Sequence, residues 1–128
     1  MILLDMNGKK VKANINTRLF SSEAQSRSMF QHAAGEELIK RFPLESVLEE
    51  WTIPGSKMSL DFFIPTRMIA IEVQGEQHEK FSPFFHGSRY KFVMQQNRDY
   101  YKKEWCEKNN ITLIFINDKK EIGKIANL

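Results

Sequence analysis

Between residues 58 and 78 the chain reads MSLDFFIPTRMIAIEVQGEQH, two apolar runs (58–64 and 68–74) separated by Pro65-Thr66-Arg67. Two such runs about a turn-forming break predict an antiparallel hairpin. Folded between Thr66 and Arg67, the hairpin sets Ile64 against Ile69, Phe62 against Ile71 and Leu60 against Val73, all on one face because side chains alternate along a strand. The other face then carries Phe63 opposite Ala70, Asp61 opposite Glu72 and Ser59 opposite Gln74. Opposed residues have Cβ atoms about 4.5–5.5 Å apart, where like charges repel. Asp61 and Glu72 therefore call for a cation between them.

Other stretches carry different periods. Residues 2–4 and 11–15 flank Asn7-Gly8, a two-residue hairpin signal, and predict an N-terminal β-ribbon that reads as an appendage. Ser21 or Ser22 is placed to cap a helix running to about Arg41, before Pro43. Phe30, Ala34, Leu38 and Phe42 form its apolar stripe at steps of four. Gly35 within it costs roughly 1 kcal/mol against Ala, which points to close packing on a neighbour. Residues 47–53 suit a strand, Pro54-Gly55-Ser56 a turn, and 88–109 a second long helix ending at Asn109-Asn110. ITLIFI at 111–116 is an apolar run suited to a strand covered on both faces, and residues 117–128 a short helical or irregular end. The second helix carries Gln96, Asp99 and Lys103 along one face; Met94, Tyr101 and Trp105 also read as buried. The expected fold is α/β, a mixed sheet flanked by helices.

At 128 residues the chain reads as one domain, with residues 1–20 as the ribbon and 22–116 as the core. Hydrophobic residues make up 41% and charged residues 27%, an ordinary globular balance. The charge of +3 and pI near 9.0 are compatible with a polyanionic partner. A single cysteine, Cys106, rules out an internal disulfide framework and fits a reducing compartment. No signal peptide and no membrane span are expected, and the expected setting is the cytoplasm of a bacterial or phage-infected cell. His32, His78, His86 and Cys106 lack the paired spacing of a zinc site.

Asp61, eleven residues before Glu72-Val73-Gln74, on adjacent strands after a Glu-bearing helix, resembles the PD-(D/E)xK nuclease superfamily. The αβββαβ order over 22–116 matches that superfamily's restriction-endonuclease-like core. IEVQGEQH is similar to the IE-x-x-G-x-x-H strand of small nucleases related to very-short-patch-repair enzymes, and the layout resembles small phage-type endonucleases. The resemblance implies Mg²⁺-dependent hydrolysis of DNA phosphodiester bonds, with Mn²⁺ able to substitute. Such chemistry suits a hard ion held by one or two carboxylates plus water and phosphate oxygens. Asp61 and Glu72 would be the ligands, with the carbonyl of Val73 implied as another. The sequence departs from the family pattern at Leu60, where a Pro is usual, and at Gln74, where a Lys is usual.

A Gln can orient water but supplies no positive charge. Lys103 or Lys102 would supply it, and His78 is a rival proton carrier. In the first helix, helical geometry favours Glu37 while the resemblance favours Glu36 as the acid of the site. Lys80, His86, Arg89 and Lys91 would follow a phosphate backbone beside the aromatics Phe81, Phe84 and Phe85. One site cuts one strand, so cutting both calls for a homodimer. The rivals are a Holliday-junction resolvase and a non-catalytic DNA-binding module on a nuclease scaffold.

Overall fold

The computed structural model describes residues 1–74 and 89–128. Its element order is β1 (Ile2–Leu4), β2 (Lys10–Lys12), α1 (Met29–Arg41), β3 (Leu48–Thr52), β4 (Ser59–Ile64), a 3-10 turn (Pro65–Arg67), β5 (Ile69–Val73), α2 (Arg89–Lys108), β6 (Thr112–Ile116) and a 3-10 helix (Lys119–Asn127). The four strands β3-β4-β5-β6 form one mixed sheet, antiparallel except for the parallel pair β5/β6; β1 and β2 form a separate antiparallel ribbon. The fold is thus α/β with a mixed sheet and a ribbon. No helix among the described residues is long and apolar enough to cross a membrane.

The central hairpin pairs Phe62 with Ile71, Phe63 with Ala70 and Ile64 with Ile69, the register expected from the alternation. Leu60 departs from it. Leu48 and Trp51 in β3, and Leu60 and Phe63 in β4, all join one packed cluster although each pair is three residues apart. The side-chain alternation therefore slips by one in both strands between those residues. Glu50 lies at that slip, with a left-handed backbone (φ 52°), a conformation costing a non-glycine residue on the order of 1–3 kcal/mol. Leu60 consequently packs with Phe63 rather than with Phe62.

Both faces of the sheet are covered. On one, α1 and the C-terminal 3-10 helix bury Ala34, Leu38, Phe42 and Ile125 against Phe62, Ile64, Ile71 and Ile116. On the other, Trp105 and Cys106 of α2 pack with Trp51, Leu60, Phe63, Ala70 and the ribbon's Leu3. The stripe expected for α1 forms, and a Cβ on Gly35 would stand 2.6 Å from Cζ of Phe20, the close neighbour that the glycine implied.

Four expectations need correction. α1 starts at Met29, not after Ser21 or Ser22, because the Ser28 side chain accepts the N–H of Gln31 and takes the N-cap. The ribbon is part of the core: Leu4 accepts from Trp105 Nε1 at 2.7 Å, and its N–H donates to Asn109 Oδ1 at 2.8 Å. Its loop also has three residues, 6–8, since Asp5 N–H closes on Lys9 O and Asp5 Oδ1 accepts the N–H groups of Asn7 and Lys9. Finally, Met94 and Tyr101 are exposed, because α2 buries only its C-terminal Trp105 and Cys106. That helix closes with Asn110 in the left-handed region (φ 57°), as the Asn-Asn pair predicts.

Candidate metal and phosphate site

Beyond the Phe62–Ile71 pair, side chains take over from the ladder between β4 and β5. Asp61 N–H donates to Glu72 Oε2 at 2.7 Å, and Val73 N–H donates to Asp61 Oδ2 at 2.7 Å. Each acid thus caps the backbone of the opposite strand, and the two carboxylates stand side by side. On its other edge β5 stays paired: Glu72 lies opposite Phe115, and Gln74 N–H reaches Ile116 O at 2.8 Å.

Both acids are buried, Asp61 8% and Glu72 3% exposed. Burial, with the neighbouring Glu72 charge second to it, pushes the Asp61 carboxyl up to about 7 against the pull of the Val73 N–H and Lys102. Burial likewise raises Glu72, opposed by Lys102. Lys102, on α2, places Nζ 2.5 Å from Glu72 Oε1. The Lys102 ammonium thus contacts one of the two carboxylates, that of Glu72.

The pocket over this pair, about 150 Å³, is lined by Arg27, Asp61, Glu72, Val73, Gln74, Gln95, Arg98, Asp99 and Lys102. Gln74 donates from Nε2 to Asp99 Oδ2 at 3.2 Å and also lines an adjoining cavity with Gln96, Asp99 and Lys103. Lys102, not Lys103, is therefore the lysine on the acid pair; Lys103 Nζ lies 5.0 Å over the Phe115 ring. Two successive helical residues point about 100° apart, and only one can face the sheet's end.

The first helix contributes neither expected acid. Glu36 pairs with His32 at 3.0 Å and Glu37 with Lys40 at 3.3 Å, both partly exposed, because they lie off the Ala34–Leu38 face. What α1 turns inward is Gln31, 3% exposed, whose Nε2 donates to Glu49 Oε2 at 2.9 Å and Glu50 Oε1 at 3.1 Å. Glu50, opposite Asp61 in register, also accepts from Ser59 Oγ at 3.1 Å, and its charge adds to the upward push on Asp61. Arg89 and Lys91 are exposed in the first turn of α2. His78, Lys80 and His86 lie outside the described residues.

Glu50, Gln31, Arg27 and Arg98 were not anticipated. Glu50 had a signal: folding the chain about Gly55-Ser56 sets residue 50 against 61, as 61 is set against 72. Arg98 lies one turn before Lys102 on the same helix face and could have been found from it; Gln31 and Arg27 come from distant segments and left no signal.

A hard divalent cation fits this donor set. Asp61 Oδ1 accepts no hydrogen bond among the described residues, and burial raises both acids in spite of Lys102, so a further cation would relieve them. Two carboxylates suffice for Mg²⁺, which keeps its waters, whereas zinc prefers three or four protein ligands. Among the described residues no group of three His, Cys, Asp or Glu side chains is arranged around one ion.

No family model matches the chain, and no solved structure matches it significantly. It is similar to three viral proteins. Uncharacterized protein 094L of frog virus 3 is 31% identical over 114 residues, covering 86% of this chain and 72% of that protein. Uncharacterized protein 307L of invertebrate iridescent virus 6 is 40% identical over 57 residues (44% of this chain, 29% of that protein). Uncharacterized protein 033L of invertebrate iridescent virus 3 is 37% identical over 62 residues (48% and 32%). The chain thus spans about a third of the length of the last two. None of the three is a phage protein.

Proposed function

The chain belongs to the family of frog virus 3 protein 094L, and from its own site we propose that it is a divalent-metal-dependent DNA endonuclease with a restriction-endonuclease-like core. The observation that carries this reading is the buried Asp61–Glu72 pair, held by backbone N–H groups where two strands part, with one ammonium, that of Lys102, in contact with Glu72. Buried charges that lack full compensation are costly, and such arrangements concentrate at functional sites.

Asp61 and Glu72 would hold the ion. Bound Mg²⁺ (or Mn²⁺) supplies positive charge for a phosphate oxygen and lowers the pKa of a neighbouring water. The protein's own part is positional. The Gln74 amide, tied through Nε2 to Asp99, keeps its carbonyl oxygen in a fixed place to accept from the attacking water. Lys102 neutralises Glu72 in the resting site and, once Glu72 has another cation, has its ammonium available for the phosphate. Arg27 and Arg98 on the pocket wall suit the flanking phosphates, where a guanidinium binds bidentately. One such site cuts one strand, so a double-strand cut would require a second copy.

The decisive assay is incubation with supercoiled, linear and four-way-junction DNA in Mg²⁺ or EDTA. Nicking in Mg²⁺ that Glu72→Gln abolishes supports the reading; nicking that survives Glu72→Gln removes this site from consideration.

One observation favours a second reading. The 2.5 Å contact between Lys102 and Glu72 also suits a permanent ion pair in a non-catalytic DNA-binding module. DNA binding without metal, and no cutting in Mg²⁺ or Mn²⁺, would decide for it.

A further inference from the structure

A second cavity, of about 580 Å³, lies between the loop of residues 22–28 and α1, and its walls include Ser26, Arg27, Ser28, His32, Ala33 and Glu36. Within it Ser26 Oγ stands 3.1 Å from His32 Nδ1, and His32 Nε2 stands 3.0 Å from Glu36 Oε1. The imidazole thus bridges the hydroxyl at Nδ1 and the carboxylate at Nε2. The Phe20 ring, with its centroid 5.3 Å from that of the imidazole, helps to fix its plane. The cavity wall therefore holds a chain of three polar side chains in set orientations. Arg27, whose Nε lies 3.8 Å from Glu50 Oε1, lines this cavity and the acid pocket alike, so the two spaces share one residue.

We propose that this cavity takes a single nucleoside of the DNA strand next to the phosphate at the acid pocket, so that the preferred substrate carries an unpaired nucleotide beside the cut. The inference rests on the nuclease reading above. Its volume falls within the range of small-molecule sites. With both imidazole nitrogens engaged inside the chain, the wall offers a base edge the second Glu36 carboxylate oxygen and the Ser26 hydroxyl oxygen, acceptors for its amino and ring N–H groups. Arg27 at the junction is placed for the phosphate that would link the nucleoside to the scissile position. A base can enter such a space only out of the stack, and an unpaired base gives up least in doing so.

The test uses Glu72→Gln protein, so that binding is read without cutting. Anisotropy would give the Kd for one labelled sequence as a blunt duplex and as the same duplex with a single-stranded flap. Flapped DNA is expected to bind at least about tenfold more tightly, a factor within reach of a few base-edge hydrogen bonds. Adding Ala33→Trp, which fills the cavity from an exposed helical position, should bring flapped DNA to the duplex level and leave the duplex Kd unchanged. His32→Ala, which removes the middle of the polar chain, should do the same. Equal affinity for the two DNAs, a flap preference that survives Ala33→Trp, or a loss that falls equally on the blunt duplex in both variants would overturn the proposal. Wild-type cleavage in Mg²⁺ reports the parent reading separately. Cutting without flap preference sinks the cavity's role alone, and flap preference without cutting sinks catalysis alone.

Discussion

Glu72 Oε2 accepts the backbone N–H of Asp61 at 2.7 Å, so the side chain of one strand occupies the place of its neighbour's ladder carbonyl. The bond fixes Glu72 beside Asp61 in a site where neither carboxylate is well hydrated. Stability should therefore depend on whether the pair is charged.

Asp61 is held up at about 7 in the folded chain, against an ordinary value near 4 in an unfolded one. Between those values the folded chain keeps a proton that the unfolded chain has lost, so stability falls as pH rises through this window. Glu72, also raised, adds in the same direction. With EDTA present, urea unfolding should show a loss of up to about 4 kcal/mol between pH 4 and pH 7.5 from Asp61. Asp61→Asn should flatten that slope, and Mg²⁺ should restore stability to the wild type at the upper end. A wild-type profile that Asp61→Asn leaves unchanged would show that the pair is not what titrates.

Lys102 and Glu72 are both well buried, their side chains 14% and 4% exposed. Removing one partner of such a pair leaves an uncompensated charge, so Lys102→Met should cost about 3–5 kcal/mol at pH 8. The double variant Lys102→Met/Glu72→Gln should recover much of that loss, because nothing charged then remains unpaired there. Denaturant midpoints for the two proteins check this. Equal stability of both with the wild type would contradict the buried pairing.

Gly35→Ala ought to gain roughly 1 kcal/mol from helix propensity alone. Here the added methyl would press on the Phe20 ring, which packs against His32 and, edge-on, against Phe62 at 5.9 Å. The ring cannot retreat without losing those contacts, so a net loss of about 1–3 kcal/mol is expected. Thermal unfolding of the variant decides the sign.

Much of this arrangement was legible because the central hairpin writes its register in its own side chains. Phe62, Phe63 and Ile64 find Ile71, Ala70 and Ile69 because one turn-forming break separates two apolar runs. What escaped were features set by competition or by distance. Residues 21–28 offer several serines able to cap a helix, and which one wins depends on where α1 meets the sheet. Leu60 changed partners because Glu50 takes a left-handed backbone, which no propensity favours. Lys102 and Lys103 are adjacent on one helix, and the tilt of α2 over the strands decides between them. Glu36 and Gln31 are separated the same way: the core stripe was plain, but the distant carboxylates that await Gln31 were not.

The central claim is that Asp61 and Glu72 share one divalent ion, and Mn²⁺ titration of the metal-free protein at pH 8, followed by electron paramagnetic resonance, tests it most directly. The wild type should take up a single ion, and Asp61→Asn and Glu72→Gln should each abolish that uptake while circular dichroism shows the fold intact. Failure of the wild type to bind, or binding by either variant as tight as that of the wild type, would contradict the account.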